Sequence, residues 1–316
     1  METLYISQEN CYIRMEGEHL NLTRRGEKIT SIPLVGIKTL IIFDSVNMSA
    51  QALDLLLING IDVLYMSKWG KLKGRILSVK GGGAVLKLAQ HSAFLNADRR
   101  MSIAKSIVTA KIHNQTEIVR RYQYNNTIHD YNENLSEIKK FTELLKTADT
   151  MDTIMGVEGI SAKYYWDCFR RLLKNPIFSR REYRPAPDYV NALLNLGYSF
   201  LANEVTTCLI AKNFDLEIGF LHSVHYGRNS LTLDIIEEFR APFIDAWILT
   251  LLNKNQLKDE HFHIMCGDWR LTDEGFHKFC KLFHERVPTW REKFREQSHK
   301  LKTALLKGED YEPYLE

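Results

Sequence analysis

The sequence predicts an α+β protein in two parts, a small N-terminal β-rich domain over residues 1–83 and a larger all-α domain over residues 84–316. Three observations predict it. Short runs of Ile, Leu, Tyr and Val alternate with turn residues up to about residue 80. The triplet Gly81-Gly82-Gly83 then interrupts the chain, and from Leu86 onward the apolar period becomes that of a helix.

Each element follows from its own pattern. LYIS, YIRM, HLNLT, TSIPL, KTLIIF and DVLYM read as strands, punctuated by Glu16-Gly17 and Arg25-Gly26-Glu27-Lys28. Between the last two strands, SAQALDLLLIN places Ser49 at an N-cap ahead of apolar residues at helical spacing, so one helix packs among them. Glycine lacks a Cβ and frees the backbone, which makes the triplet the natural joint or a loop beside it. Beyond it Leu88, Ala89, Phe94 and Leu95, then Ile103, Ile107, Val108 and Ile112, predict two successive helices or one long bent one. The remainder is mostly helical, with Pro176, Pro185, Pro187, Pro242 and Pro288 marking helix ends or starts. No internal repeat of 20 to 50 residues is present.

Composition narrows the classes. A length of 316 residues exceeds one average domain, and 45% hydrophobic with 26% charged residues is that of a folded globular chain. The strongest apolar run, Thr39–Phe43, falls far short of the roughly 20 residues a bilayer span needs. The start, METLYISQEN, lacks the basic and apolar regions of a secretory leader, so the expected location is cytoplasmic, with no membrane contact. Five cysteines without a CxxC pair support neither a disulfide framework nor a structural zinc site, and they are expected reduced and mostly buried.

A net charge of +3 does not announce a nucleic-acid binder, because affinity for phosphates depends on local contacts. Distribution says more. Arg99, Arg100, Lys105, Lys111, Arg120 and Arg121 face Glu117 alone within residues 99–121. Lys163, Arg170, Arg171, Lys174, Arg180, Arg181 and Arg184 outnumber Asp167 and Glu182 within residues 160–186. Ordinary solvated helix faces would look the same.

Three places combine acids, histidine and glycine in ways a packed core does not require. In Met155-Gly156-Val157-Glu158-Gly159 a carboxylate sits between two glycines ahead of the helical pattern SAKYYWDCFRRLL, open to a metal or phosphate. The same acid also suits the positive end of a helix. His222 follows Phe220 and Leu221 at what reads as a core edge, with His225 in the polar HYGRNS loop; a hydrogen-bonded structural histidine is the alternative. On a helix over SLTLDIIEEF, Asp234 lies on the same side as Glu237 and Glu238. Like charges so stacked repel, which predicts a cation or Arg240 beside them, although a salt-bridged helix surface fits as well. Two carboxylates and an imidazole suit a hard divalent ion, Mg²⁺ or Mn²⁺, with the nitrogen favouring Mn²⁺.

These motifs resemble one family. GFLHSVHYGRNSLTLDIIEEFRAPFID, MGVEGISAKYYW and RPAPDYVNALLNLGYSFL are similar, in order, to the signatures of the CRISPR-associated integrase and endonuclease family Cas-one. IPLVGIKTLIIF, INGIDVLYMSKWGKLKGRI and RRMSIAKSIVTAKIHNQ extend the resemblance over nearly the whole chain.

The resemblance implies an N-terminal β domain for dimerisation and partner contact, a helical catalytic domain, and a homodimer. Two such dimers would assemble with the small Cas-two protein into a heterohexamer that inserts double-stranded foreign DNA fragments into CRISPR repeat DNA. Carried over by motif, Glu158, His222 and Glu237 are the metal ligands, with Asp234 in or beside the catalytic site. The family often has aspartate where Glu237 stands, which leaves open which of Asp234, Glu237 and Glu238 reaches the ion; no role transfers to His225. The implied reaction is attack of a fragment's 3′ hydroxyl on a repeat phosphodiester, with a stand-alone DNA endonuclease or a non-catalytic DNA-binding scaffold as alternatives. Arg99, Arg100, Lys111, Arg180, Arg181 and Arg184 are candidate phosphate contacts, and Tyr164, Tyr165 or Trp166 could pack the site or touch a DNA end.

Overall fold

The chain is seen here as a computed structural model that describes residues 3–6, 10–43, 46–67, 72–78, 83–125, 130–174 and 177–316. Its strands and first helix run β1 Thr3–Ile6, β2 Cys11–Glu16, β3 His19–Arg24, β4 Glu27–Pro33, β5 Thr39–Phe43, β6 Val46–Met48, α1 Ala50–Ile58, β7 Asp62–Met66 and β8 Leu72–Ile76. All six strands and the helix expected from sequence are present. β6 and β8 are additions, short or Gly- and Lys-containing stretches (VNM, LKGRI) whose own pattern is too weak to read.

Period-two burial explains the first sheet. In β2, Cys11 and Ile13 are buried while Tyr12 and Arg14 face out. β2, β3 and β4 pair antiparallel through two-residue turns, and Gly17, Arg25 and Gly26 adopt the positive φ that tight hairpins need. β6 joins β2 in parallel, giving the order β4-β3-β2-β6. The second sheet runs β1-β5-β7-β8, with β1, β5 and β7 mutually parallel. Thr39, Leu40, Ile41 and Ile42 of β5 are all buried, as expected of a parallel strand covered on both faces. Ser49 caps α1 by accepting from the Ala52 amide at 3.1 Å. Leu4, Ile13, Leu22, Leu40, Ile42, Leu56 and Val63 bring both sheets and α1 into one apolar core.

Helices dominate the rest: α2 Ala84–Leu95, α3 Ala97–Asn125, α4 Asn132–Thr147, α5 Met151–Leu172 and α6 Tyr189–Ile210, then α7 Ser230–Phe239 and α8 Ala246–Asn253. The choice between two helices and one bent one resolves as two. Asn96 interrupts them, and its side chain accepts from the Arg99 amide at 2.9 Å, restarting the helix as α3. α3 buries Ile103, Ile107, Val108, Ile112 and Val119 together with Lys111 and Asn114, and packs against α4, α5 and α7. It is the central helix of this part.

Two expectations need correction. Pro242 does not end a helix: it sits in a wide π-helical turn, Arg240–Asp245, that carries the chain from α7 into α8. Proline lacks the N–H an α-helix needs there, and the wider turn absorbs that loss. Nor is the C-terminal part all-α. β9 Phe262–Met265 and β10 Asp268–Leu271 form an antiparallel hairpin, turned by Cys266 and Gly267 at φ of 52° and 78°. Turn glycine between two short runs, FHIM and DWRL, is a hairpin signal hidden by its brevity.

The chain ends in α9 Asp273–Arg286, α10 Pro288–Lys307 and a segment over residues 309–316 without helix or strand. Pro288 opens α10 at its first position and Gly308, at φ 72°, caps it in the left-handed conformation. Two compact units result, Met1–Lys87 with Thr207–Phe214, and Leu88–Thr206 with Asp215–Glu316. Gly81, Gly82 and Pro176 lie outside the described residues. At Gly83 closeness matters, because a Cβ there would come within 2.9 Å of the Asn213 side chain. Four of the five cysteines are buried, and Cys266 is exposed. Among the described residues no helix is long and apolar enough to cross a membrane.

Candidate active site

Every expected site residue belongs to the second unit, and the local sequence explains how each is presented. Thr150 caps α5 by accepting from the Thr153 amide, so the helix starts at Met151 and Glu158 lies two turns inside it. This corrects the reading of Glu158 as an acid at a helix start. A Cβ on Gly156 or Gly159 would meet nothing within 4 Å, so the two glycines leave the space beside the carboxylate open. Their cost to helix stability, about 1 kcal/mol each relative to alanine, has no packing gain to offset it.

His222 lies in the irregular segment between α6 and α7, held there by Asp234. The buried Asp234 carboxylate accepts from the amides of Phe220 (2.5 Å), Leu221 (3.0 Å) and His222 (2.9 Å), and its Oδ1 lies 2.7 Å from His222 Nδ1. A carboxylate only accepts, so Nδ1 carries the proton and Nε2 presents its lone pair. Gly219 is required here, since a Cβ would stand 2.8 Å from Asp234 Oδ2 and 2.9 Å from the Ser230 backbone. Asp234 therefore positions the imidazole. His225 is exposed and takes no part.

The adjacent acids of α7 face different surroundings. Glu237 turns toward α3 and α5, where its Oε2 lies 2.6 Å from Lys111 Nζ and its Oε1 3.1 Å from Arg240. The same Lys111 ammonium also touches Glu158 Oε1. Glu238 turns toward the end of the chain, where Tyr311 donates to it at 2.6 Å and the Tyr314 amide at 2.8 Å. Glu158, Glu237, Lys111 and Arg240 thus form one cluster. His222 lies near enough to act on Glu237 electrostatically.

Electrostatics follow from these partners. Burial alone would raise the Glu237 carboxyl, but the Arg240 and Lys111 charges beside it hold it down at about 2. Burial likewise works against a charged Lys111, yet the two carboxylates win and raise its pKa. Among the described residues no cation is in contact with Glu238, so burial pushes it up to about 8 despite its two hydrogen bonds and the more distant Lys300 charge.

A third polar group flanks the cluster. Asp245, from the π-helical turn, accepts from Tyr165 at 2.8 Å and Tyr198 at 2.6 Å, and burial pushes it to about 6. Arg240 lies over the Tyr198 ring at 4.7 Å and Arg181 over the same ring at 5.4 Å. Tyr165 therefore packs the site through Asp245. Tyr164 stacks on Phe141, whereas Trp166 meets Phe169 edge-on and Phe178 at a tilt.

The six candidate phosphate contacts separate into two kinds. Arg99 is tied to the carbonyls of Ala304 and Glu309 and to Asp310, Arg100 to the Phe220 carbonyl, and Arg181 to Asn191 and Asn195. Lys111 is enclosed in the cluster. Arg180, paired with Glu182 at 2.7 Å, and Arg184, stacked on Tyr183, remain on the surface. The sequence reading missed the bridging place of Lys111 and the Asp245 group. The i+3 spacing of Arg240 from Glu237 was the one visible signal.

Two carboxylates, one of whose oxygens is buried without a hydrogen bond, and an imidazole with a free nitrogen fit the donor chemistry of a hard divalent ion. Among the described residues, however, no three such side chains surround a point by themselves. The point between the carboxylates belongs to the Lys111 ammonium.

Comparison with known proteins gives this arrangement its family. The model for CRISPR associated protein Cas1 matches residues 4–285. A CRISPR-associated endonuclease Cas1 of Thermus thermophilus is 29% identical over 90% of this chain and 84% of its own length. One from Thermotoga maritima is 26% identical over 97% of each chain. Among solved structures, a casposase bound to an integration product superposes with a TM-score of 0.79 at 23% identity, covering all of both chains. A chain of a partial Cas6-RT-Cas1–Cas2 complex gives 0.81 at 21% identity, covering 100% of this chain and 99% of that one. The chain belongs to the CRISPR-associated Cas1 family.

Proposed function

We propose that this chain is the integrase of CRISPR adaptation, joining a short double-stranded DNA fragment to a CRISPR repeat by attack of the fragment's 3′ hydroxyl on a repeat phosphodiester. One observation carries the reading: Glu158 and Glu237, from helices far apart in sequence, meet at a single cation beside an imidazole oriented by Asp234. Membership of the Cas1 family and a fold shared with a casposase support it.

In this reading Glu158, Glu237 and His222 hold the ion, Mg²⁺ or Mn²⁺, and Asp234 fixes the imidazole tautomer that leaves Nε2 free to bind it. The bound ion supplies polarisation of the scissile phosphate and a more acidic attacking hydroxyl. Arg240, kept in place by Glu237 and the Tyr198 ring, adds positive charge where the phosphoryl oxygens gain negative charge. No protein nucleophile is needed, since the reaction forms one P–O bond as it breaks another. Arg180 and Arg184 contact the DNA backbone. The protein works in the cytoplasm as a homodimer, the β-rich part mediating dimerisation and partner contact, and two dimers bind the small partner Cas2 in a heterohexamer.

The test combines the protein, its Cas2 partner, a labelled fragment and supercoiled repeat DNA with Mn²⁺. Joined product is expected, and Glu237→Ala should lower it on the order of 10³-fold. Cleavage without joining would replace the reading by a nuclease that uses water at the same residues. Intact DNA binding with no product of either kind would leave a scaffold.

A further inference from the structure

Two carboxylates on separate helices that approach one another repel unless a cation or a shared proton lies between them, and in this chain a lysine lies there. Lys111 is about nine-tenths buried on the central helix α3. Its ammonium touches Glu158 of α5 and lies 2.6 Å from Glu237 of α7, which makes it the junction of three helices. The two cations of the cluster are not equivalent. Arg240 is planar, pairs with Glu237 Oε1 at 3.1 Å, and lies over the Tyr198 ring, so several contacts fix it. Lys111 is a compact point charge on a flexible four-carbon stem that neutralises both acids at once.

We propose that Lys111 is the exchangeable counter-cation of this site: it keeps Glu158 and Glu237 together in the metal-free chain and competes with the divalent ion for the same carboxylate oxygens. The inference rests on the ion reading of the preceding subsection. It changes how that site is understood. The acids are gathered before any ion arrives, so folding does not wait for metal. Ion entry must displace an ammonium, which lowers apparent affinity and frees a positive charge beside the substrate phosphate. Lys111, placed by its sequence among ordinary phosphate contacts, then becomes one only after exchange.

The experiment measures Mn²⁺ binding by calorimetry and melting temperature, with and without Mn²⁺, in the wild type, Lys111→Met, Lys111→Arg and Glu237→Gln. The wild type should bind Mn²⁺ and Glu237→Gln should not. Lys111→Met should melt lower without metal, bind Mn²⁺ at least tenfold more tightly than the wild type, and gain more in melting temperature from saturating Mn²⁺. Lys111→Arg, which keeps a competing cation, should stay within a few-fold of wild-type affinity. Equal or weaker Mn²⁺ binding by Lys111→Met, with Glu237→Gln still defective, overturns the competition while the ion reading stands. Absence of Mn²⁺ binding in both the wild type and Lys111→Met overturns the ion reading itself. A second measurement needs no variant: amine acetylation of Lys111, read by peptide mass, should rise on adding Mn²⁺ to wild-type protein, and an unchanged rate overturns the proposal.

Discussion

Glu237 and Glu238 are neighbours on one helix, both buried, and they have opposite chemistry. Glu237 meets Arg240 and Lys111 and is held at about 2, whereas Glu238 meets two tyrosines' O–H and N–H donors and is pushed up to about 8. Burial is common to both, so burial does not set the charge state; the presence of a cation does. Neutral donors leave the desolvation of Glu238 only partly offset. Side-chain direction on α7 does the sorting, sending one acid toward Lys111 and Arg240 and the other toward the segment over residues 309–316. That segment is fastened further by Asn114, which donates to the carbonyls of Glu238 and Tyr314 and accepts from the Glu316 amide.

The sharpest way to break the comparison is to exchange the two fates. Glu237→Ala, Glu158→Ala and His222→Ala should each lower strand joining on the order of 10³-fold, about 4 kcal/mol, while Glu238→Gln keeps it within tenfold. If Glu238→Gln proved as inactive as Glu237→Ala, the division of labour would be wrong. Glu238→Ala should cost stability instead, about 2–4 kcal/mol in urea titrations, because it strands the Tyr311 hydroxyl and the Tyr314 amide in the interior. A cost below about 1 kcal/mol would mean that the terminal segment does not depend on this anchor.

Acidity separates the pair next. Glu237 has a depressed folded pKa, so its contribution is present above about 4.5 and lost as pH falls toward 2. Glu238 has a raised one: the folded state keeps the proton longer, so stability falls as pH rises from about 4.5 to 8, by at most about 5 kcal/mol. Melting curves of Glu238→Gln should be flatter across that window than those of the wild type, and parallel curves would refute the assignment. The smallest effect belongs to the surface. Arg180→Ala should weaken DNA binding across sequences and reduce the salt slope by about 1. Arg181→Ala, which removes bonds to Asn191 and Asn195, should show itself in thermal stability instead.

Much of the fold was legible because period and punctuation are local. The alternation in YIRM, the capping serine at 49 and the helical run from Leu86 each contain their own evidence. The hairpin over 262–271 was missed because four-residue strands give too little alternation to read. Pro242 was misread because a proline's effect depends on whether the helix can widen around it. At the site, residue types and the i+3 relation of Glu237 to Arg240 could be seen, as could His222 beside a glycine. The meeting of Lys111 with acids 47 and 126 positions away could not: its spacing of four from Ile107 and three from Val108 puts it on the apolar face of its helix, but no local pattern encodes which acids meet it there.

The wide turn after Phe239 has one more effect, on aim. In a regular α-helix, residues five apart project about 140° from each other, so Arg240 and Asp245 would look in different directions. The i→i+5 geometry of the π-helical turn brings them to the same side, where a guanidinium covers the Tyr198 ring and a carboxylate takes its hydroxyl. One aromatic side chain is thereby gripped at face and edge by a cation and an anion from a single turn. Removing one residue there would restore regular winding and rotate everything downstream by about a quarter turn or more, separating the two grips without altering either group.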